Sequence, residues 1–94
     1  MPKYKVILSR RYKIALKRLS RHKDFNHQVL KEIINTLARG EKLSPNHQDH
    51  QLSGELSEYR ECHVKNNILL MYQKHDDILI LLLVDLGTHS DLFR

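Results

Sequence analysis

Histidine is the most conspicuous chemical group in this chain, with seven copies among 94 residues. Imidazole titrates near neutral pH, so two histidines can supply a general base and a general acid together. Three of them lie where chemistry would need them: His50 in a polar segment, His63 in an alternating strand pattern and His89 after the last apolar run. We predict that these three side chains converge on one exposed patch.

Such a patch has the groups that cleavage of RNA requires. A base removes the 2′-OH proton, the oxygen attacks the adjacent phosphorus, and an acid protonates the leaving 5′-oxygen. No metal is required in principle, and the sequence predicts neither a metal site nor a cofactor. The run that contains His47, Asp49 and His50 matches none of the strong zinc spacings. The remaining histidines, His22, His27 and His75, are expected to be ordinary surface residues.

Cys62 is the single cysteine, so an internal disulfide is excluded and a reducing cytoplasm fits. It occurs in residues 59–65, where Tyr59, Glu61, His63 and Lys65 alternate with Arg60, Cys62 and Val64. We predict that Cys62 faces the core as a small hydrophobic residue and that His63 faces outward.

The positive charge is concentrated in one segment. Residues 1–23 hold nine basic residues and no acid, whereas residues 24–94 hold seven bases and eleven acids. A basic segment attracts polyanions through counterion release, although a solvated helix face is the simpler alternative. The candidate RNA-binding residues on this segment are Arg10, Arg11, Lys13, Lys17, Arg18 and Arg21.

The first half of the chain predicts one strand and two helices. Residues 4–8 are β-prone, and Ser9 suits the N-cap of a helix whose apolar face is Tyr12, Ala15, Leu16 and Leu19. Asp24 is predicted to cap a second helix that ends before Gly40. Two helices joined by a short turn form a helical hairpin.

The second half predicts a long loop over residues 41–57 and then three strands over residues 59–65, 68–74 and 78–84, with a tight turn at 75–77. The order β-α-α-β-β-β, with short turns between consecutive strands, indicates a small α+β domain. In it an antiparallel sheet carries the helical hairpin on one face. One domain over residues 1–94 is expected. No apolar run approaches the roughly 18 residues that a membrane helix needs.

The last apolar run, residues 78–84, is typical of a strand covered on both faces. The helical hairpin can cover only one face of a small sheet. The other face must be closed by the C-terminal segment, by a partner chain, or by both.

Three segments together resemble the YafQ-type toxins of the RelE/ParE superfamily. Residues 49–54 are similar to their "DH-x-L-x-G" loop, residues 59–64 to their "YRECHI" strand, and residues 86–93 to their "LG(S/T)HSELF" tail. The three segments occur in the family's order, and the resemblance spans nearly the whole chain.

The resemblance implies a RelE-like, microbial ribonuclease-type fold and a toxin of a type II toxin–antitoxin system. Such a toxin is a metal-independent mRNA interferase, an endoribonuclease that enters the ribosome, cleaves the message and inhibits translation. The implied partners are the 70S ribosome, mRNA and a cognate antitoxin, with operator DNA bound only through the antitoxin complex. The bacterial cytoplasm is the implied location.

Carried over residue by residue, the resemblance assigns catalysis to His50, His63 and His89, with His63 or His50 as base and His89 as acid. Phe93 matches an aromatic residue that positions the substrate, and Arg60 matches a family arginine, although the alternation directs Arg60 toward the core. Lys65 and Asn67 complete the predicted substrate-binding residues.

Two positions depart from the family pattern. Asn67 replaces an acid, and Asp85 replaces an arginine suited to the scissile phosphate, so Asp85 is expected to repel it. These changes leave open a weakened toxin that binds antitoxin or RNA without cleavage. A ParE-like toxin with another target is a further alternative, but it leaves the three histidines unexplained.

Overall fold

A computed structural model describes residues 2–93. Within them a five-stranded sheet has the order β1-β5-β4-β3-β2. The strands are β1 (Lys5–Leu8), β2 (His50–Gln51), β3 (Arg60–Lys65), β4 (Ile68–His75) and β5 (Ile80–Gly87), and the helices are α1 (Arg10–Leu19), α2 (His27–Ala38) and α3 (His89–Leu92). Strands β2 to β5 pair antiparallel, whereas β1 runs parallel to β5. The predicted α+β class, with its meander of three consecutive strands, is confirmed.

Both long helices pack on one face of the sheet. Tyr12, Ala15 and Leu19 of α1 are buried in the same core as Leu30, Ile33 and Leu37 of α2. Three-to-four-residue spacing puts these side chains on one side of each helix, where they meet inward-facing strand residues such as Cys62, Leu70 and Leu83. The predicted apolar faces of both helices are therefore confirmed.

The caps of the two helices were predicted with unequal success. Ser9 caps α1 by accepting a hydrogen bond from the Tyr12 amide at 3.0 Å, as expected. The prediction that Asp24 caps α2 is wrong, because Asn26 accepts from the Val29 amide at 3.0 Å instead. Either side chain can cap a helix, so residue type alone could not choose between positions two residues apart.

Strand β5 begins later than the sequence suggested. Residues 78 and 79 belong to the turn, where Ile78 and Leu79 are 61% and 42% exposed and Leu79 has a φ of 53°. The prediction of a strand over residues 78–84 is therefore wrong at both ends, since an unbroken apolar run does not mark where a turn stops. The inference that this strand lies inside the sheet is confirmed, because β5 lies between β1 and β4.

The second face of the sheet is closed by the C-terminal segment. Leu92 of α3 is buried against Leu69 and Met71, and Phe93 and Val84 pack around them. The segment predicted as an irregular loop, residues 41–57, also contributes, because its short strand β2 extends the sheet beside β3. Of the alternatives left open by the sequence, the C-terminal segment is confirmed as a cover of the second face, and a partner chain there stays a prediction.

Candidate functional site

His50 is positioned by the pairing of β2 with β3, which sets it directly opposite Glu61. Its Nδ1 donates a hydrogen bond to the Gln48 carbonyl oxygen at 2.7 Å, so Nε2 is the basic nitrogen of the neutral ring. Nε2 lies 3.8 Å from Glu61 Oε1. The basic nitrogen of His50 therefore faces a carboxylate.

His63 follows Glu61 by two residues on β3, so both side chains lie on the face away from α1 and α2. Together with His89 they line a cavity of about 370 Å³, whose wall also includes Asn67 and Leu69. The His63 carbonyl oxygen accepts a hydrogen bond from His47 Nδ1 at 2.7 Å, which ties this strand to the preceding loop.

His89 is the first residue of α3, and a capping box fixes its backbone. The Thr88 side chain accepts from the Asp91 amide, and the Asp91 carboxylate accepts from the Thr88 amide. Gly87 allows this approach, because a Cβ at that position would lie 2.8 Å from Asp91 Oδ2. The His89 ring packs on Phe93 with 4.7 Å between ring centroids.

His63 and His89, two of the three predicted histidines, line one cavity. His50 is not part of that lining, but it lies beside Glu61, a lining residue that is only 6% exposed. Among residues 2–93, Glu61 Oε2 is the buried side-chain oxygen without a hydrogen-bond partner. Sequence reasoning placed Glu61 on the histidine face but assigned it no role, although its position two residues before His63 was a usable signal.

Of the other predicted substrate-binding residues, Asn67 lines the cavity and Phe93 lies beside His89. Lys65 is exposed at the end of β3, past a register shift, and does not line the cavity in the described part of the chain.

Arg60 lies on the opposite face of the sheet, which corrects its assignment to the substrate side. Its Nε donates to the Tyr72 hydroxyl at 3.3 Å, and its Nη2 lies 3.3 Å from Asp49 Oδ2. Tyr72 is buried under the helices, and burial, followed by the hydrogen bond to Asp49, raises the pKa of its hydroxyl. Arg60 therefore ties the residue 41–57 loop to the sheet, as its place in the alternation had suggested.

Asp85 also differs from its expected role. It was expected to repel the scissile phosphate, but it is buried with an oxygen 2.6 Å from Arg11 Nη2 on α1. The cavity that Asp85 lines is formed with Arg11, Ile14 and Arg18 and is separate from the histidine cavity. Its charge is therefore balanced by an arginine instead of facing the histidines.

The basic segment divides into paired and unpaired cations. Arg11 pairs with Asp85, and Arg18 Nη2 lies 3.6 Å from Asp91 Oδ2. The remaining predicted cations are exposed: Arg10, Lys13, Lys17 and Arg21. Among residues 2–93, no acidic oxygen lies within ion-pair distance of these four side chains. These four charges are available to an external polyanion.

Cys62 is fully buried on the helix face, as predicted. Burial, with a smaller contribution from Asp49, raises the pKa of its thiol far above the ordinary value. A thiol held neutral in the core is a poor nucleophile, so Cys62 is not a candidate for the chemistry of the site.

Within residues 2–93, no group of three or more His, Cys, Asp or Glu side chains is arranged to hold a metal ion. No helix in the same range is long and apolar enough to span a bilayer.

The molecule is a small α+β protein whose five-stranded sheet carries a histidine-lined cavity on the face away from α1 and α2. A sequence model described as "Bacterial toxin of type II toxin-antitoxin system, YafQ" matches residues 4–94. The chain belongs to this YafQ family of type II toxin–antitoxin toxins.

Solved structures agree with this assignment. A copper-bound mutant toxin from Helicobacter pylori superposes with a TM-score of 0.88 and 38% identity, over 99% of this chain and 100% of that one. YafQ in the E. coli DinJ–YafQ toxin–antitoxin complex gives a TM-score of 0.86 and 26% identity, over 98% of this chain and 99% of that one. A curated YafQ toxin relative from Haemophilus influenzae is 48% identical over 31 residues, which span 33% of this chain and 30% of that relative.

Proposed function

We propose that this toxin is a ribosome-dependent endoribonuclease that cleaves mRNA and thereby stops translation. The observation that supports this most directly is the shared cavity of His63, His89 and Glu61, with His50 in contact with Glu61 from the neighbouring strand. A phosphodiester in that cavity would have imidazoles on two sides and no need for a protein-derived nucleophile.

The proposed reaction uses the substrate's own 2′-OH. His50 or His63 removes the 2′-OH proton as the oxygen bonds to phosphorus, and the P–O5′ bond breaks. His89 gives its proton to the departing 5′-oxygen, which leaves a 2′,3′-cyclic phosphate on one product and a 5′-OH on the other. The hydrogen bond from His50 Nδ1 to Gln48 and the carboxylate near Nε2 favour His50 as the base.

The proposed role of the basic segment is to bind ribosomal RNA. The exposed cations of α1 form an electrostatic surface outside the histidine cavity. Polyanion binding by such a surface is independent of sequence and depends on salt. The site of action would then be the translating ribosome in the bacterial cytoplasm.

The proposed protein partner is a cognate antitoxin. The related E. coli YafQ is found in complex with DinJ, and this chain superposes on that toxin over nearly its whole length. An antitoxin that covers the histidine cavity would block cleavage, and operator DNA would be bound only through the antitoxin.

Primer extension on a message translated in the presence of the purified toxin tests the proposal. We expect discrete cuts with the native protein and a rate at least about 100-fold lower with His89→Ala or His63→Ala, the usual contribution of a general acid or base. His75→Ala, in the β4–β5 region away from the cavity, is the matched control and should cut normally.

Two other results would redirect the assignment. Antitoxin binding without any cutting would identify a binding module, the alternative that Asn67 in the cavity favours because an amide cannot exchange a proton as an acid does. Loss of cutting in a chelator that leaves ribosomes intact would contradict the metal-independent mechanism.

A further inference from the structure

A second cavity, of about 450 Å³, opens beside the histidine cavity. One wall comes from the end of α1 and the turn before α2, and the other from the β3–β4 turn and the start of α3. The two cavities share Asn66, Asn67 and Thr88. We call this second cavity the side groove.

The lining of the side groove combines apolar surface with several polar edges. Phe25 and Ile68 are half-buried residues that pack against the main core, so the apolar part is held in place. The polar residues on this lining are Arg18, His22, Asp24, Asn66, Asn67, Thr88 and Asp91. A volume within about 300–1,000 Å³, mostly apolar with a few polar groups, is typical of a small-molecule site.

The charges of the side groove favour a neutral ligand over an anion. Arg18 lies 3.6 Å from Asp91, which offsets its charge, and Asp24 adds a further carboxylate. Phosphate would be repelled by these carboxylates, whereas a flat heteroaromatic base can lie on Phe25 and hydrogen-bond to the amides. Bases commonly stack on aromatic side chains and are recognised through their polar edges.

We propose that the side groove binds the base of a nucleotide adjacent to the cleaved bond and makes cleavage depend on that base. The inference rests on the proposed ribonuclease function and adds a specificity site to it. Phe25 supplies the stacking surface. The Asp24 carboxylate accepts hydrogen bonds and cannot donate them, so it favours a base edge rich in N–H groups, such as that of guanine.

Continuity with the histidine cavity favours RNA over a segment of antitoxin as the occupant. The shared residues Asn67 and Thr88 form the border between the cavities, so a phosphate near His63 and His89 has its neighbouring base within reach of the groove. Binding of an antitoxin segment would not require the groove to adjoin the histidine cavity.

The first test is NMR titration of the native protein with dinucleotides that lack the 2′-OH and cannot be cleaved. We expect amide shifts at His22, Phe25 and Ile68 together with those at His63 and His89, and larger shifts with guanine than with uracil. Shifts confined to the histidine cavity would overturn the inference.

The second test compares the bases that flank the cuts made by Asp24→Asn, Phe25→Leu and the control Asp77→Asn, a matched change in the exposed β4–β5 turn. Asp24→Asn should reduce discrimination at one flanking position by about 10-fold, and Phe25→Leu should slow cutting at the preferred base by a similar factor. Asp77→Asn should keep the native pattern.

The outcomes separate this inference from the proposed function. Normal cutting with an unchanged base pattern in both groove variants would overturn the inference that the side groove binds a base and would leave the ribonuclease function intact. NMR shifts of the His22 and Phe25 amides on addition of an antitoxin segment would then identify the groove as a protein-binding surface. Absence of cutting by the native protein contradicts the ribonuclease function and this inference with it.

Discussion

Glu61 lies beside all three histidines of the candidate site. Its carboxylate is nearly buried, lines the cavity of His63 and His89, and has one oxygen 3.8 Å from His50 Nε2. A buried charge is costly unless a partner or a function compensates for it. Among residues 2–93, Oε2 has no hydrogen-bond partner, so we predict that this carboxylate serves the proposed reaction more than the fold.

Glu61→Gln should separate these two roles. The amide keeps the shape but removes the negative charge beside His50 Nε2, and we expect cleavage to slow by about 10- to 100-fold. Thermal stability should stay the same or rise, because a buried charge is lost. A normal cleavage rate in this variant, measured by primer extension, would show that the carboxylate has no part in the chemistry.

Alkaline pH should destabilise the protein through buried acids, among them Tyr12 and Cys62. Burial raises the pKa of Tyr12 from 10.0 to about 12, and burial raises the pKa of Cys62 above its ordinary 9.0. The unfolded chain loses these protons first, so their contribution to the free energy of unfolding is fully present below about pH 9 and falls as pH rises above it. Urea titrations at pH 8, 9 and 10 should show this fall, and the free energy of unfolding should fall less steeply with pH in Cys62→Ala. An equally steep fall in that variant would show that the thiol does not contribute.

Helix α1 contains cations with two different tasks, so its variants should have two different effects. Arg11 balances the buried Asp85, whereas Arg10, Lys13 and Lys17 project into solvent. Reversal of the three exposed charges to glutamate should weaken ribosome co-sedimentation by about 10-fold or more at low salt and leave the melting temperature nearly unchanged.

Arg11→Ala is the matched contrast. It leaves the Asp85 carboxylate without its cation, although the Leu86 amide still donates to it at 2.8 Å. We expect a loss of about 1–2 kcal/mol in the free energy of unfolding with little change in ribosome binding. If charge reversal leaves co-sedimentation intact, the exposed charges only keep the helix solvated.

Helix α3 is too short to hold its own shape, so its capping box determines where His89 points. Thr88→Ala removes the acceptor of the Asp91 amide and should cost about 1 kcal/mol in stability. Because His89 directly follows this cap, cleavage should fall by more than the loss of stability accounts for. Thr88→Ser keeps the hydroxyl and should retain both properties, and equal cleavage by the two variants would contradict the argument.

On the scale of the whole molecule, the sequence was informative where periodicity and burial agree. The apolar faces of both helices, the core position of Cys62 and the outward face of His63 follow from the spacing of apolar residues. The meander of β3, β4 and β5 follows from short turns between consecutive strands. These local rules and the motif resemblance were enough to predict that His50, His63 and His89 lie on one side of the sheet.

Features that depend on pairing between distant segments could not be predicted from the sequence. Nothing local in residues 5–8 indicates that β1 runs parallel to β5, and the two residues of β2 are too few to show a pattern. The ion pair between Arg11 and Asp85 joins residues far apart along the chain, so Asp85 could be read only as an isolated acid. The burial of Glu61 depends on how the C-terminal segment folds over the sheet, which alternation does not reveal.

The pairing of β1 with β5 also bears on synthesis of the chain. Strand β1 is synthesised first but can pair only after β5 has been made, and His89 follows β5 closely along the chain. Contacts between such distant segments form late and slowly. A nascent chain therefore completes its histidine pocket only after nearly every described residue has emerged.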